Sequence, residues 1–209
     1  MDKFAFIKNT FDKLDDEFNF ITLRNFHLIP DQSSLDNDID VLVETADYDK
    51  VALSMSSFGY SVYFDVGHEY LYGAKPHIHC VNKELDVHFD IVGGLYYRSL
   101  NQRNLFIGGN DKLEKRMWEN KTGVSECYRY IPSIEDFLVH ICCHTVFDKM
   151  EITEKYKSLI EEYYKKSDKK IVRDLLSCVF YKATDLVIDK IETGNTQDLV
   201  TEYIAFSDY

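Results

Sequence analysis

The sequence predicts an α+β fold: a mixed β-sheet flanked by helices, followed by a C-terminal helical bundle. Three observations carry this. Between residues 20 and 92, short runs of β-branched and aromatic residues recur around one helical stretch. The chain opens on an amphipathic helical stripe. After Pro132 it reads as helix throughout. The expected division is an α/β domain over 1–125 and a helical domain over 126–209.

Residues 4–18 set Phe4, Ile7, Phe11, Leu14 and Phe18 three and four apart, the spacing of a helix with one apolar face. FITLR, residues 20–24, is a short strand, and the polar loop NFHLIPDQSSLDN follows with one of only three prolines. Residues 38–44 form the next strand, since β-branched and apolar residues fill it. Residues 46–58 are helical and stop at Gly59. Strands are predicted at 60–66, 70–72, 77–81 and 85–92, and Gly93-Gly94 marks a turn. A short helix covers 111–119 and a last strand 126–131. Ser133 then caps a helix, with Asp136 three residues on as an approximate capping box. Helices are predicted over 133–148, 151–166, 168–192 and 196–206.

Composition bounds the function. The chain has 209 residues, is 45% hydrophobic and 29% charged, ordinary for a soluble globular protein. No stretch approaches the roughly 18 apolar residues of a membrane span. The charged N-terminus MDKFAFIKNTFDKLDDEF does not read as a secretory signal. The net charge of −12 argues against a nucleic-acid partner, because phosphate backbones recruit basic surfaces. The five cysteines (Cys80, Cys127, Cys142, Cys143 and Cys178) are odd in number and include no CxxC, so buried thiols in a reducing cytosol are expected.

The chemistry concentrates in two strands. On a strand, residues i and i+2 share a face, so Asp38 and Asp40 point the same way, roughly 7 Å apart along the backbone. Two carboxylates brought to about 6 Å repel by roughly 3 kcal/mol at an effective dielectric near 20. A divalent cation between them reverses the sign. A second strand, LDVHFDI, sets Asp86, His88 and Asp90 on one face and Val87, Phe89 and Ile91 on the other. If the strands are neighbours, three or four carboxylates converge, which suits a pair of magnesium ions serving phosphoryl or nucleotidyl transfer. A solvated strand start is the bland alternative. A calcium loop fails, because Val41 and Asp47 stand where it needs glycine and glutamate.

These residues resemble a family. "LRNFHLIP…DNDIDVLVE", "ELDVHFDI" and "IPSIEDFLVHICCH" are similar to the small uncharacterised nucleotidyltransferases of the DNA polymerase β-like superfamily, relatives of the antibiotic adenylyltransferases. The resemblance covers roughly residues 20–150 and implies a nucleotidyltransferase-like sheet. It implies that Asp38 and Asp40 bind metal. It implies that Asp86 is the third carboxylate, binding metal and preparing the attacking hydroxyl, with Asp90 as the fallback on the same face. The implied cofactor is Mg2+ (or Mn2+), with an NTP as substrate. The superfamily usually cradles the triphosphate on a Gly-Ser turn. Here the matching region reads Leu23-Arg24-Asn25, with Ser33-Ser34 nearer the strand. Arg24, Asn25 and Ser34 are the nucleotide-binding candidates, Arg24 as a charged fork for phosphate.

Other residues rank behind these. His77, His79 and Cys80 in PHIHC could ligate zinc, but no partner pair with suitable spacing follows, so ordinary strand histidines are expected. HICCH sets His140 and His144 on one helical face without the glutamate of H-E-x-x-H. His144 remains an accessory candidate, with His88, Arg98 and Lys149.

The function these readings favour is a metal-dependent nucleotidyltransferase of the cytoplasm. It would move an NMP from an NTP to a hydroxyl of a small-molecule, sugar or protein acceptor, releasing pyrophosphate. The alternatives are a catalytically degenerate nucleotide-binding or interaction protein and a DxD glycosyltransferase. Only 37 residues precede Asp38, too few for the about 100 residues of βαβ structure the last would need.

Overall fold

The computed structural model describes residues 2–26, 38–65, 69–109, 111–125 and 129–207. Two compact units emerge: residues 1–95 with 120–132, and residues 96–119 with 133–209. The segment 96–119, grouped with the first domain in the sequence reading, belongs to the second unit. Its backbone ties explain why. Arg98 N–H donates to the Asp148 carboxylate at 3.1 Å, and Arg103 donates to the carbonyls of Phe147 and Asp148.

The first unit opens with α1 (Lys3–Glu17), capped by Asp2, whose Oδ1 accepts from Ala5 N–H at 2.8 Å. Phe6, Ile7, Thr10, Phe11 and Leu14 are its buried residues, so Phe6 rather than Phe4 completes the expected stripe. β1 (Phe20–Arg24) and β2 (Ile39–Val43) follow, then α2 (Tyr48–Ser57), which ends before Gly59 at φ +95°. β3 (Ser61–Phe64), β4 (Glu69–Tyr70), β5 (Ile78–Asn82) and β6 (Val87–Val92) complete the predicted strands. The main sheet has the order β1-β2-β6-β5-β3. β2 and β6 pair parallel, and the other three pairings are antiparallel. The sheet is therefore mixed, as the sequence predicts.

One face of this sheet carries an aromatic core. Phe89 of β6 meets Phe11 edge-on at 5.4 Å and Tyr60 at 5.7 Å, and Phe11 stacks on Phe20 at 5.8 Å. Alternation along β6 buries Val87, Phe89 and Ile91 on this face and leaves His88 and Asp90 on the other.

β7 (Tyr96–Arg98) and β8 (Leu105–Gly108) pair antiparallel in the second unit; neither is foreseen in the sequence reading. α3 (Asp111–Asn120) follows. β9 (Thr122–Ser125) and β10 (Arg129–Ile131) form a two-stranded ribbon in the first unit. α4 (Ile134–Cys143) opens as expected: Ser133 Oγ accepts from Asp136 N–H at 3.3 Å and donates to the Asp136 carboxylate at 2.6 Å. It continues as a π-helical turn over His144–Lys149. α5 (Glu154–Lys166), α6 (Lys169–Phe180), α7 (Thr184–Glu192) and α8 (Leu199–Ser207) complete the helical unit. The single helix predicted over 168–192 is two, because Tyr181 takes φ +48° and breaks the ladder with neither glycine nor proline to announce it. Among the described residues, no helix is long and apolar enough to cross a membrane. Cys80, Cys142, Cys143 and Cys178 carry free thiols, and Cys127 lies outside the described residues.

Candidate active site

The site is a row of side chains across the face of the main sheet opposite the aromatic core. Arg24 of β1 pairs with Asp40 of β2, Asp40 with Asp90 of β6, and Asp90 with His79 of β5. Directly paired residues on neighbouring strands put their side chains side by side. Asp38, two residues before Asp40, joins the face at the mouth of β2, where His88 Nδ1 reaches its carboxylate at 2.6 Å.

A β-bulge brings Arg24 into this row. Thr22 opposes Val41, yet the next pairing is Arg24 with Asp40, so Leu23 is the extra residue. Without it, alternation would set Arg24 opposite Ile39 on the aromatic face. The bulge re-aims the guanidinium, and it ion-pairs with Asp40. Asn25 follows in a left-handed conformation, φ +60°. Its amide donates to the Asp38 carbonyl at 2.9 Å and to Asp40 Oδ2 at 3.3 Å. The Leu23-Arg24-Asn25 stretch thus braces the aspartates. Ser34, with Ser33 and Asp36, lies outside the described residues.

Asp86 stands apart from this face. It lies in the turn before β6 at φ +52°, so the strand's alternation does not extend to it. Its side chain is 92% exposed and faces Lys3 of α1 at 3.8 Å. The third carboxylate beside Asp38 and Asp40 is Asp90, the fallback of the sequence reading. His77 and His79 also join the site: His77 Nδ1 lies 3.3 Å from the Asp90 carboxylate, and His79 Nδ1 lies 3.8 Å from it. PHIHC held the signal, since His77 and His79 alternate with buried Ile78 and Cys80. Only the pairing register of β5 on β6 brings them to Asp90. Arg98, His144 and Lys149 belong to the second unit. There Arg98 stacks on Phe106, His144 Nδ1 is 3.1 Å from Asp148, and Lys149 is exposed.

The electrostatics follow from burial. Asp40 is only 5% exposed; burial pushes its carboxyl up to about 6, with Arg24 opposing and the charges of Asp90 and Asp38 reinforcing. Burial also raises Asp90, but the hydrogen bond with His77 and the charges of His77, His79 and Arg24 outweigh it and hold it below the ordinary value. The hydrogen bond to Asp38 raises His88.

Asp40 therefore makes stability depend on pH. Its folded value of about 6 exceeds the ordinary 3.8, so the folded protein binds more protons between those limits. Its contribution to stability falls as pH rises from about 4 to 6, by on the order of 3 kcal/mol in all. Urea unfolding of the metal-free protein across this range checks it. The stability of Asp40→Asn relative to wild type is expected to rise with pH through that window and level off above it. A constant difference would refute the assignment.

Residues 35–164, well over half of the chain, match the family described as uncharacterised nucleotidyltransferases. The chain belongs to that family. The matched stretch contains Asp38, Asp40 and Asp90, whereas Arg24 and Asn25 precede it. No curated protein matches the sequence. The fold is similar to that of the antibiotic-resistance factor ANT(2'')-Ia, known from a solution structure, at a TM-score of 0.54 and 8% identity. The superposition covers 92% of this chain and 99% of that one.

A divalent cation is implied for such a family, and the residues fit one in donor type. Asp38, Asp40 and Asp90 offer hard carboxylate oxygens on one face, and Asp90 Oδ1 is buried without a hydrogen bond. As the side chains stand, no three His, Cys, Asp or Glu residues among those described close into a metal cage. Arg24 and Asn25 engage Asp40, and His88 engages Asp38. Magnesium asks for only one or two carboxylates plus phosphate and water, so a full protein cage is not required.

Proposed function

We propose that this chain is a metal-dependent nucleotidyltransferase. It moves an NMP from an NTP to a hydroxyl of a small-molecule, sugar or protein acceptor and releases pyrophosphate. The observation that carries the proposal is the direct pairing of Asp40 with Asp90, with Asp38 two residues away on the same face.

Asp38, Asp40 and Asp90 are the residues that would hold Mg2+ (or Mn2+). Bound there, the cation supplies charge neutralisation at the phosphates for in-line displacement. Asp90, ionised at neutral pH, takes the proton from the acceptor hydroxyl. The hydroxyl oxygen bonds to the α-phosphorus, and the bond from that phosphorus to the pyrophosphate oxygen breaks. Arg24 exchanges its carboxylate partner for a phosphate, for which its planar fork is suited. The net charge of −12 supports a small or protein acceptor over a nucleic acid.

A pyrophosphate-release assay tests this, with ATP, GTP, CTP and UTP offered in turn alongside pooled hydroxyl acceptors. Release is expected with at least one NTP, only in the presence of Mg2+ or Mn2+, and not from Asp40→Asn. One observation favours a second reading, a degenerate nucleotide binder: each site carboxylate already has a nitrogen partner from Arg24, His88 or His77. Nucleotide binding by calorimetry with no release across the acceptor pool would select it.

A further inference from the structure

Asp90 is held from the segment that leads into β5, whereas Asp40 is held from β1 and Asp38 from β6, and its hold is built in layers. His77 Nδ1 is 3.3 Å from Asp90 Oδ2. A carboxylate ionised at neutral pH can only accept, so the proton of this hydrogen bond sits on His77 Nδ1. The His77 backbone is itself pinned on both sides. Its carbonyl accepts from Asp65 N–H at 3.0 Å, and the carbonyl of the preceding Pro76 accepts from Tyr48 Oη at 2.6 Å. Tyr48 is 2% exposed, and its ring packs on Gly93, where an added Cβ would come within 2.7 Å of Tyr48 Cδ2. Gly93 therefore serves close packing as well as the turn that follows β6, and the line Gly93–Tyr48–Pro76–His77 ends on the Asp90 carboxylate.

The consequence is geometric. His77 Nδ1 lies 3.3 Å from both oxygens of Asp90, but its hydrogen bond goes to Oδ2, and the buried Oδ1 receives none. A buried carboxylate oxygen ordinarily has a donor or a cation beside it. Asp40 is the direct neighbour across the parallel pair.

We infer that His77 is a positioning residue for nucleotidyl transfer: its hydrogen bond to Oδ2 holds the Asp90 carboxylate so that Oδ1 is left for a divalent cation. This rests on the function proposed above. It assigns no reacting atom to His77. His79, 3.8 Å from Asp90 Oδ1, has no hydrogen bond to it and flanks the same carboxylate from the paired position.

The test uses the full chain with two substitutions. His77→Ala removes the donor, whereas His77→Asn returns an N–H donor on a side chain of similar reach. Hydrogen-bonded partners of metal ligands typically change metal affinity or activity by 10–100-fold, about what is expected here. Manganese binding without nucleotide, followed by calorimetry, is read first. His77→Ala is expected to weaken it at least about 10-fold, and His77→Asn to recover it to within about threefold. In turnover, His77→Ala lowers kcat by a similar factor, leaves the NTP KM within about twofold, and His77→Asn again recovers most of the loss. Equal manganese affinity in wild type and His77→Ala overturns the inference, as does equal loss in both variants with unchanged thermal midpoints. A wild-type protein that binds manganese with this His77 dependence yet releases no pyrophosphate would refute the proposed function while leaving His77 as the residue that positions Asp90 for a cation.

Discussion

Asp40→Asn and Asp90→Asn are each expected to lower the proposed nucleotidyl transfer by at least about 100-fold, or roughly 2.7 kcal/mol of transition-state stabilisation, with Asp86→Asn within about twofold of wild type. The contrast follows from the sheet. Asp40 and Asp90 are directly paired on the parallel strands β2 and β6. Asp86 sits in the preceding turn with its carboxylate 92% exposed toward Lys3. Asparagine keeps the shape of aspartate but removes the charge a cation needs, so the loss is expected in kcat/KM at saturating metal. Exposed ion pairs like Lys3–Asp86 contribute about 0–1 kcal/mol to stability, so Asp86→Asn barely alters folding either. Pyrophosphate release measured for the three variants decides between Asp86 and Asp90. A silent Asp90→Asn beside a dead Asp86→Asn would sink the assignment made here.

The second large effect is on stability. Phe89→Ala is expected to cost about 3–5 kcal/mol, the usual loss when a buried phenylalanine is truncated. Phe89 is fully buried between Phe11 of α1 and Tyr60 before β3, and it meets both rings edge-on. Edge-to-face pairs add about 0.5–1.5 kcal/mol beyond area burial, so the cavity forfeits two such contacts. Its neighbours in sequence are His88 and Asp90, so loosening β6 also loosens the site. Urea unfolding followed by circular dichroism reads the loss as a lower midpoint. Leu53→Ala is the control: Leu53 is 73% exposed, and surface changes usually stay within about 0.5 kcal/mol. Equal midpoints for Phe89→Ala and wild type would show that this aromatic cluster does not hold the first unit together.

Much of the first unit was legible in the sequence because its signals are local. Alternation located β2 and β6, the apolar stripe located α1, and Ser133 with Asp136 marked the start of α4. The paired faces of Asp38 and Asp40 followed from strand geometry alone. What the sequence hid is non-local or conformational. The bulge at Leu23 turns Arg24 to the other face, and no residue type announces it. Asp86 seemed to share a face with Asp90 because alternation was extended one step past the strand's true start. His77 and His79 join the site only through the register of β5 on β6. β7 and β8 are short and carry few alternating residues, and Tyr181 breaks a helix with a residue that ordinarily continues one.

The lone parallel pairing of the main sheet has a kinetic consequence. Strands β2 and β6 are separated in the chain by α2, β3, β4 and β5, so Asp40 and Asp90 meet only when a long loop closes. Such closures come late, because their entropy must be met before distant contacts reward it. A nascent chain that has not yet supplied β6 holds Asp38 and Asp40 without their neighbour. Cation affinity should therefore arise in a refolding experiment with the last phase rather than the first, making metal binding a reporter of completed topology.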